Sequence, residues 1–203
     1  MENTNNTSRS KTLRLTQLGI LSAIIIIMAF TPLGYLRIGP LSITFLTVPV
    51  IIGAMLLGPT VGAILGAVFG LTSFAQCFGM DAFGSMLLSI NPFYTFIMTM
   101  LPRILIGVVS GNLMIRFEKK KTNQTLGYTV TALTGVLTNT VFFVGLLLLL
   151  FGNTEYIQSF GENTIAILGV LVSTNAIVEI IVCTLVITAL MKAIRVAVKR
   201  MSH

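Results

Sequence analysis

Apolar residues fill most of the chain in six long runs, separated by short polar or glycine- and proline-rich breaks. The first run, Leu15–Phe30, follows Arg9, Lys11 and Arg14. The second, about Ser42–Leu57, contains Pro49, which predicts a kink because proline supplies no backbone donor. Gly58-Pro59 turns tightly into the third, about Thr60–Ala75. The fourth, about Pro92–Phe117, ends in Arg116, Lys119, Lys120 and Lys121. The fifth, about Leu126–Leu150, leads through a polar loop, Gly152–Asn163, to the sixth, about Thr164–Ala193. Apolar runs of this kind read as membrane-crossing helices. The pattern predicts an all-α membrane protein with six transmembrane helices in one bundle over residues 11–200, after a polar, disordered cytoplasmic N-terminus over 1–10. No small-x-small cleavage site follows the first run, which is therefore read as a retained helix and not a signal peptide.

Two breaks are long. Thr31–Leu41 is a connection containing Tyr35 and Arg37. Gln76–Asn91 carries Gly79, Asp81 and Gly84 among apolar residues and suits a lid over a cavity or a re-entrant piece. Along the third run, Gly58, Gly62, Gly66 and Gly70 recur every four residues. One stripe of that helix has almost no side chain, which allows close contact in lipid, within the bundle or with a partner.

Composition supports this class: 55% of the 203 residues are hydrophobic and 9% charged, with a mean hydropathy of +0.96. The net charge of +7 would suit nucleic acid, but the basic residues sit at helix ends, where topology accounts for them and no nucleic-acid partner is needed. With both termini in the cytoplasm, the inside receives the N-terminal, Arg116–Lys121 and C-terminal basic clusters. The outside loops hold Arg37 against Asp81, Glu155 and Glu162. Cys77 and Cys183 form no metal or redox motif, and the one histidine, His203, ends the chain. No metal, cofactor or catalytic residue is therefore expected. Neither a P-loop nor a zinc-protease motif occurs, and no inverted repeat is visible.

Arg103 lies near the middle of the fourth run. Arginine stays charged, and its insertion at bilayer depth costs roughly 3 kcal/mol. At ~1.5 Å of rise per residue, Asn139, Asn175 and Glu179 fall at a similar depth, Asn175 and Glu179 on one helix face. Thr99 precedes Arg103 by four residues, with Tyr94 and Asn91 further outward. Polar groups converging at mid-depth make a site for a small polar solute, with Arg103 suited to a carboxylate. A purely internal Arg103–Glu179 ion pair, in a structural subunit or a membrane enzyme, is the competing reading. For an enzyme, Glu179 and Asp81 make a poor acid/base pair.

Several segments, in order, resemble the substrate-binding S components of energy-coupling factor (ECF) transporters. They are Leu15-Thr16-Gln17-Leu18-Gly19-Ile20-Leu21-Ser22-Ala23, Gly39-Pro40-Leu41-Ser42-Ile43-Thr44-Phe45, Val48-Pro49-Val50-Ile51-Ile52-Gly53-Ala54, Leu57-Gly58-Pro59-x-x-Gly62, Leu101-Pro102-Arg103 and Asn175-x-x-x-Glu179. The resemblance covers nearly the whole chain. It implies a six-helix protein of the bacterial cytoplasmic membrane that takes a vitamin from outside and docks on a membrane-embedded scaffold subunit carrying two ATPase subunits, toppling to release the vitamin inside. The family's Ala-x-x-x-Ala docking motif falls on Gly19 and Ala23, where glycine departs from the pattern but keeps the surface small. Pantothenate-type members look most similar. Riboflavin stays open through Phe74, Phe78 and Tyr94, as do pyrimidine or thiamine-related compounds.

Overall fold

The computed structural model describes residues 2–38, 41–120, 123–159 and 174–201. Its elements, in chain order, are α1 (Glu2–Ala29), β1 (Tyr35–Ile38), β2 (Leu41–Thr44), α2 (Thr47–Leu57), α3 (Pro59–Gln76), α4 (Ala82–Ile90), α5 (Pro92–Lys119), α6 (Gln124–Phe151), α7 (Glu155–Gln158) and α8 (Thr174–Met201). Five helical stretches are long and apolar enough to cross a membrane: Lys11–Ala29, Pro59–Gln76, Pro92–Lys119, Gln124–Phe151 and Ile177–Ala197. Helix α2 is a shorter apolar helix.

Four local features differ from the sequence reading. The backbone of α1 is already helical from Glu2, across the segment expected to be disordered. The first connection contains an antiparallel hairpin, with Tyr35 opposite Thr44 and Ile38 opposite Leu41. Four-residue strands abutting an apolar helix give too short an alternation to separate from it, so the apolar pattern alone places the helix start at Ser42. It starts at Thr47, which leaves Pro49 in the first turn. Backbone donors there have no helical partner anyway, so proline costs no hydrogen bond and causes no kink by that route. Within the expected loop, Asp81 nucleates α4: its Oδ2 accepts from the Gly84 N–H at 2.8 Å, as an N-cap should. The loop and early helix expected over residues 160–173 lie outside the described residues.

Helix α2 is at the centre and packs against α1, α3, α5, α6 and α8. Nearly all of its residues are buried. Its Val50, Ile51 and Ile52 join Ile25 of α1, Leu65 and Phe69 of α3, Ile106 of α5, Val136 of α6 and Ile187 of α8 in one apolar core. A smaller cluster under α4 unites Phe83, Leu87, Met98, Leu147, Phe151 and Ile157. Gly58 makes the α2–α3 turn with a φ of +93°, a conformation that disfavours any side chain. Arg14 reaches across from α1, its Nη2 donating to the Leu57 carbonyl at 2.7 Å and satisfying one end of α2.

The glycine stripe is spent on α5. A Cβ placed on Gly62 would strike the Gly107 carbonyl, one on Gly66 the Arg103 carbonyl, and one on Gly70 the Met100 side chain. The opposite face answers in kind, since a Cβ on Gly107 would strike Gly62 and one on Gly111 would strike Pro59. Two backbones in contact hold α5 in one register against α3, and with it the arginine that α5 carries.

Candidate substrate-binding site

Arg103 is buried, with only 9% of its surface exposed. Its guanidinium carbon lies 5.4 Å from the ring centre of Phe69 and 4.9 Å from that of Phe143, distances at which aromatic faces attract a cation. Nη1 donates to the Met98 carbonyl at 3.0 Å. Nε is buried and has no hydrogen-bond partner among the described residues. The guanidinium is thus held by a carbonyl of its own helix and by rings from α3 and α6, with the Nε donor unused.

Glu179, on α8, is also buried. Its Oε2 accepts from the Thr44 N–H at 3.3 Å, tying α8 to the end of β2. Oε1 has no partner among the described residues, and neither has Oδ1 of Asn139 on α6. The Asn139 amide faces the Glu179 carboxylate, and Arg103 is within electrostatic reach of both Glu179 and Tyr35. No hydrogen bond among the described residues joins Arg103 to Glu179. An arginine and a buried carboxyl group therefore share the interior, each bonded to backbone, with unused hydrogen-bonding atoms on both.

The hairpin and α3 add a polar layer. The Tyr35 hydroxyl and Ser73 Oγ are 3.4 Å apart. Burial raises the Tyr35 phenol above its ordinary pKa, opposed by the Ser73 hydrogen bond and the Arg103 charge, so it stays protonated. Gln76 Nε2 donates to the Ala29 carbonyl, fixing α3 to the end of α1. Thr72 and Thr99 are buried and turn their hydroxyls to the backbone carbonyls of Phe69 and Phe96.

Of the residues marked in the sequence, Arg103, Thr99, Asn139 and Glu179 lie buried in the interior of the bundle. Two others are engaged elsewhere. Asn91 caps α5, its Oδ1 accepting from the Phe93 and Tyr94 N–H groups at 3.1 Å each. Tyr94 is exposed and sets its ring edge-on to Phe151 at 6.1 Å. It lies nine residues, or ~13 Å of helical rise, from Arg103. The side chain of Asn175 lies outside the described residues. Sequence reasoning missed Phe69, Phe143, Thr44 and Gln76. Phe143 was findable, since it follows Asn139 by four and shares its helix face. Thr44 was not, because it contributes a backbone N–H.

The arrangement offers a fixed cation with an unused donor and, nearby, acceptors awaiting donors. That suits a small anion that also carries hydroxyl or amide hydrogens.

Residues 13–191 match the family described as ECF transporter, substrate-specific component. The chain is 32% identical over 200 residues to the pantothenic acid transporter PanT of Lactococcus lactis subsp. cremoris, covering 92% of this chain and 95% of that protein. It is 31% identical over 195 residues to the pantothenate transporter PanT of Leuconostoc mesenteroides subsp. mesenteroides, covering 90% of this chain and 92% of that protein.

Proposed function

The chain belongs to the family of ECF transporter substrate-specific components, multi-pass transport proteins of the cell membrane and not enzymes, and we propose that its ligand is pantothenate. Both relatives named above are pantothenate transporters. The observation that carries the reading is Arg103: buried within a membrane-crossing helix, it makes no hydrogen bond to Glu179 and keeps a buried Nε without a partner among the described residues. A bare donor on a charged group is costly in a dry interior. A carboxylate from the ligand would satisfy it. The hydroxyl and amide hydrogens of pantothenate would then meet Asn139 Oδ1 and Glu179 Oε1. Thr99 lies one turn before Arg103 on α5, Asn175 shares a helix face with Glu179 by its spacing, and Asn91 and Tyr94, engaged at the start of α5, are assigned to a ligand on its way in.

Five long helices and the shorter α2 would make six crossings, with both termini in the cytoplasm as the basic clusters require. Cysteines introduced singly near Lys120 and near Glu155, in a background free of Cys77 and Cys183, test this. Labelling of the first from outside would overturn the orientation. Uptake would need a scaffold subunit with two ATPases, docked on the α1 face that carries Gly19 and Ala23. Both residues are exposed.

Isothermal titration of the detergent-solubilised protein with pantothenate tests the ligand. Arg103→Ala is expected to weaken binding by about thirtyfold to several thousandfold, as befits loss of a desolvated charge-assisted contact. Arg103→Lys should rescue poorly, because a point charge cannot replace a planar fork. If Arg103 and Glu179 instead serve only each other, the double variant Arg103→Met with Glu179→Leu would bind pantothenate normally, and the proposal would fail.

A further inference from the structure

We infer that Pro102 is a positioning residue for Arg103, acting through a backbone carbonyl that it leaves without its helical donor. In an α-helix the N–H of residue 102 would bond to the carbonyl of residue 98. Proline has no N–H, and Pro102 lies inside α5. The Met98 carbonyl therefore needs another donor, since an unpaired backbone acceptor in a membrane-buried helix is costly. Arg103 supplies it: Nη1 donates to that carbonyl at 3.0 Å. Proline at 102 thus creates the anchor to which the next side chain ties itself.

The anchor selects an edge of the guanidinium. With Nη1 committed to Met98 and the rings of Phe69 and Phe143 beside the cation, rotation of the group is blocked. Nε is left buried and without a partner among the described residues. A carboxylate binds side-on to Nε and the adjacent Nη2 through two parallel hydrogen bonds. Pro102 thereby presents this edge to the interior. With an ordinary residue at 102, a backbone N–H would compete for Met98, and the guanidinium could turn toward Glu179. The inference rests on the reading that Arg103 receives the ligand's carboxylate.

Titration of full-length protein with two ligands tests it: pantothenate, and pantothenol, in which a hydroxymethyl group replaces the carboxylate. Pro102→Ala is expected to weaken pantothenate binding by about tenfold, as misplacement of one oriented contact does, while pantothenol binding stays within about twofold. The melting temperature should hold or rise, since alanine favours the helix. The decisive rescue is the α-hydroxy analogue of alanine at position 102, which has alanine's side chain and an ester in place of the N–H. It should restore pantothenate binding. An ester variant as weak as Pro102→Ala would show that ring shape matters and not the missing donor. Equal losses for both ligands would reduce Pro102 to a structural role, and either result overturns the proposal. Normal pantothenate binding by Pro102→Ala beside a weakened Arg103→Ala would sink this inference alone. Normal binding by Arg103→Ala would sink the ligand reading beneath it.

Discussion

Along α3, Gly62, Gly66 and Gly70 are pressed against the backbone and side chains of α5; along α1, Gly19 and Ala23 have the same four-residue spacing and face outward. A Cβ on Gly66 would collide with a backbone carbonyl, whereas one on Gly19 would have no neighbouring atom within 4 Å. Around Gly19 the surface is apolar, with Leu15 67% and Ile20 57% exposed. Small residues four apart permit close helix contact in lipid, but the spacing does not name the partner. In α3 the partner is within the chain, and the contact fixes the height of Arg103. In α1 none of the described residues covers the pair, which leaves it free for another subunit.

Side chains added at these and other glycines should separate the two uses by their effect on the fold. Gly66→Leu should do most, because rigid backbone stands in the way: a loss of about 3 kcal/mol or more and a fall of roughly 10 °C in melting temperature. Pantothenate binding should go with it, as α5 is pushed out of register. Thermal melting in detergent checks this, and a wild-type melt would mean that the helices are further apart than described. Gly53→Ala should cost less, about 1–2 kcal/mol, because the obstacle is the flexible end of Leu65 and the Leu21 side chain beyond it. Gly145→Ala, on an exposed stretch of α6 with no atom within 4 Å of the new Cβ, should shift stability by no more than about 1 kcal/mol, toward greater stability. Gly19→Leu and Ala23→Leu should leave the melt and the pantothenate titration of the isolated protein unchanged, yet reduce uptake at least about tenfold in vesicles containing the complete transporter. Weakened binding in the isolated variants would put this face inside the fold and erase the contrast.

Much of the architecture was legible because membrane helices advertise themselves by length and apolarity. The boundaries of α5 and α6 fell within about two residues of expectation, as apolar runs ending in polar or basic residues allow. The hairpin was not legible, since Ile43 and Phe45 read equally well as the start of the helix that follows. Nor was α4, a nine-residue helix whose start is marked by one aspartate accepting one N–H. In the candidate site, Arg103, Asn139 and Glu179 stood out because each is a polar group where leucine would cost nothing. Phe69 and Phe143 did not, for an aromatic residue in an apolar run carries no such mark.

The sequence by itself determined which segments are apolar enough to cross the membrane, that a permanent cation lies deep in one of them, and that the flanking charge is unequal. These are properties of composition and of position along one axis, and a one-dimensional string records them. Only the tertiary structure decided which faces meet. It set the α3 glycines against the carbonyls of α5, and the Arg103 guanidinium between the Met98 carbonyl and two rings. It also left Glu179 bonded to the Thr44 N–H and not to Arg103. Depth follows from counting residues along a helix, but the angle at which one helix presents a residue to another is set by packing among all of them at once.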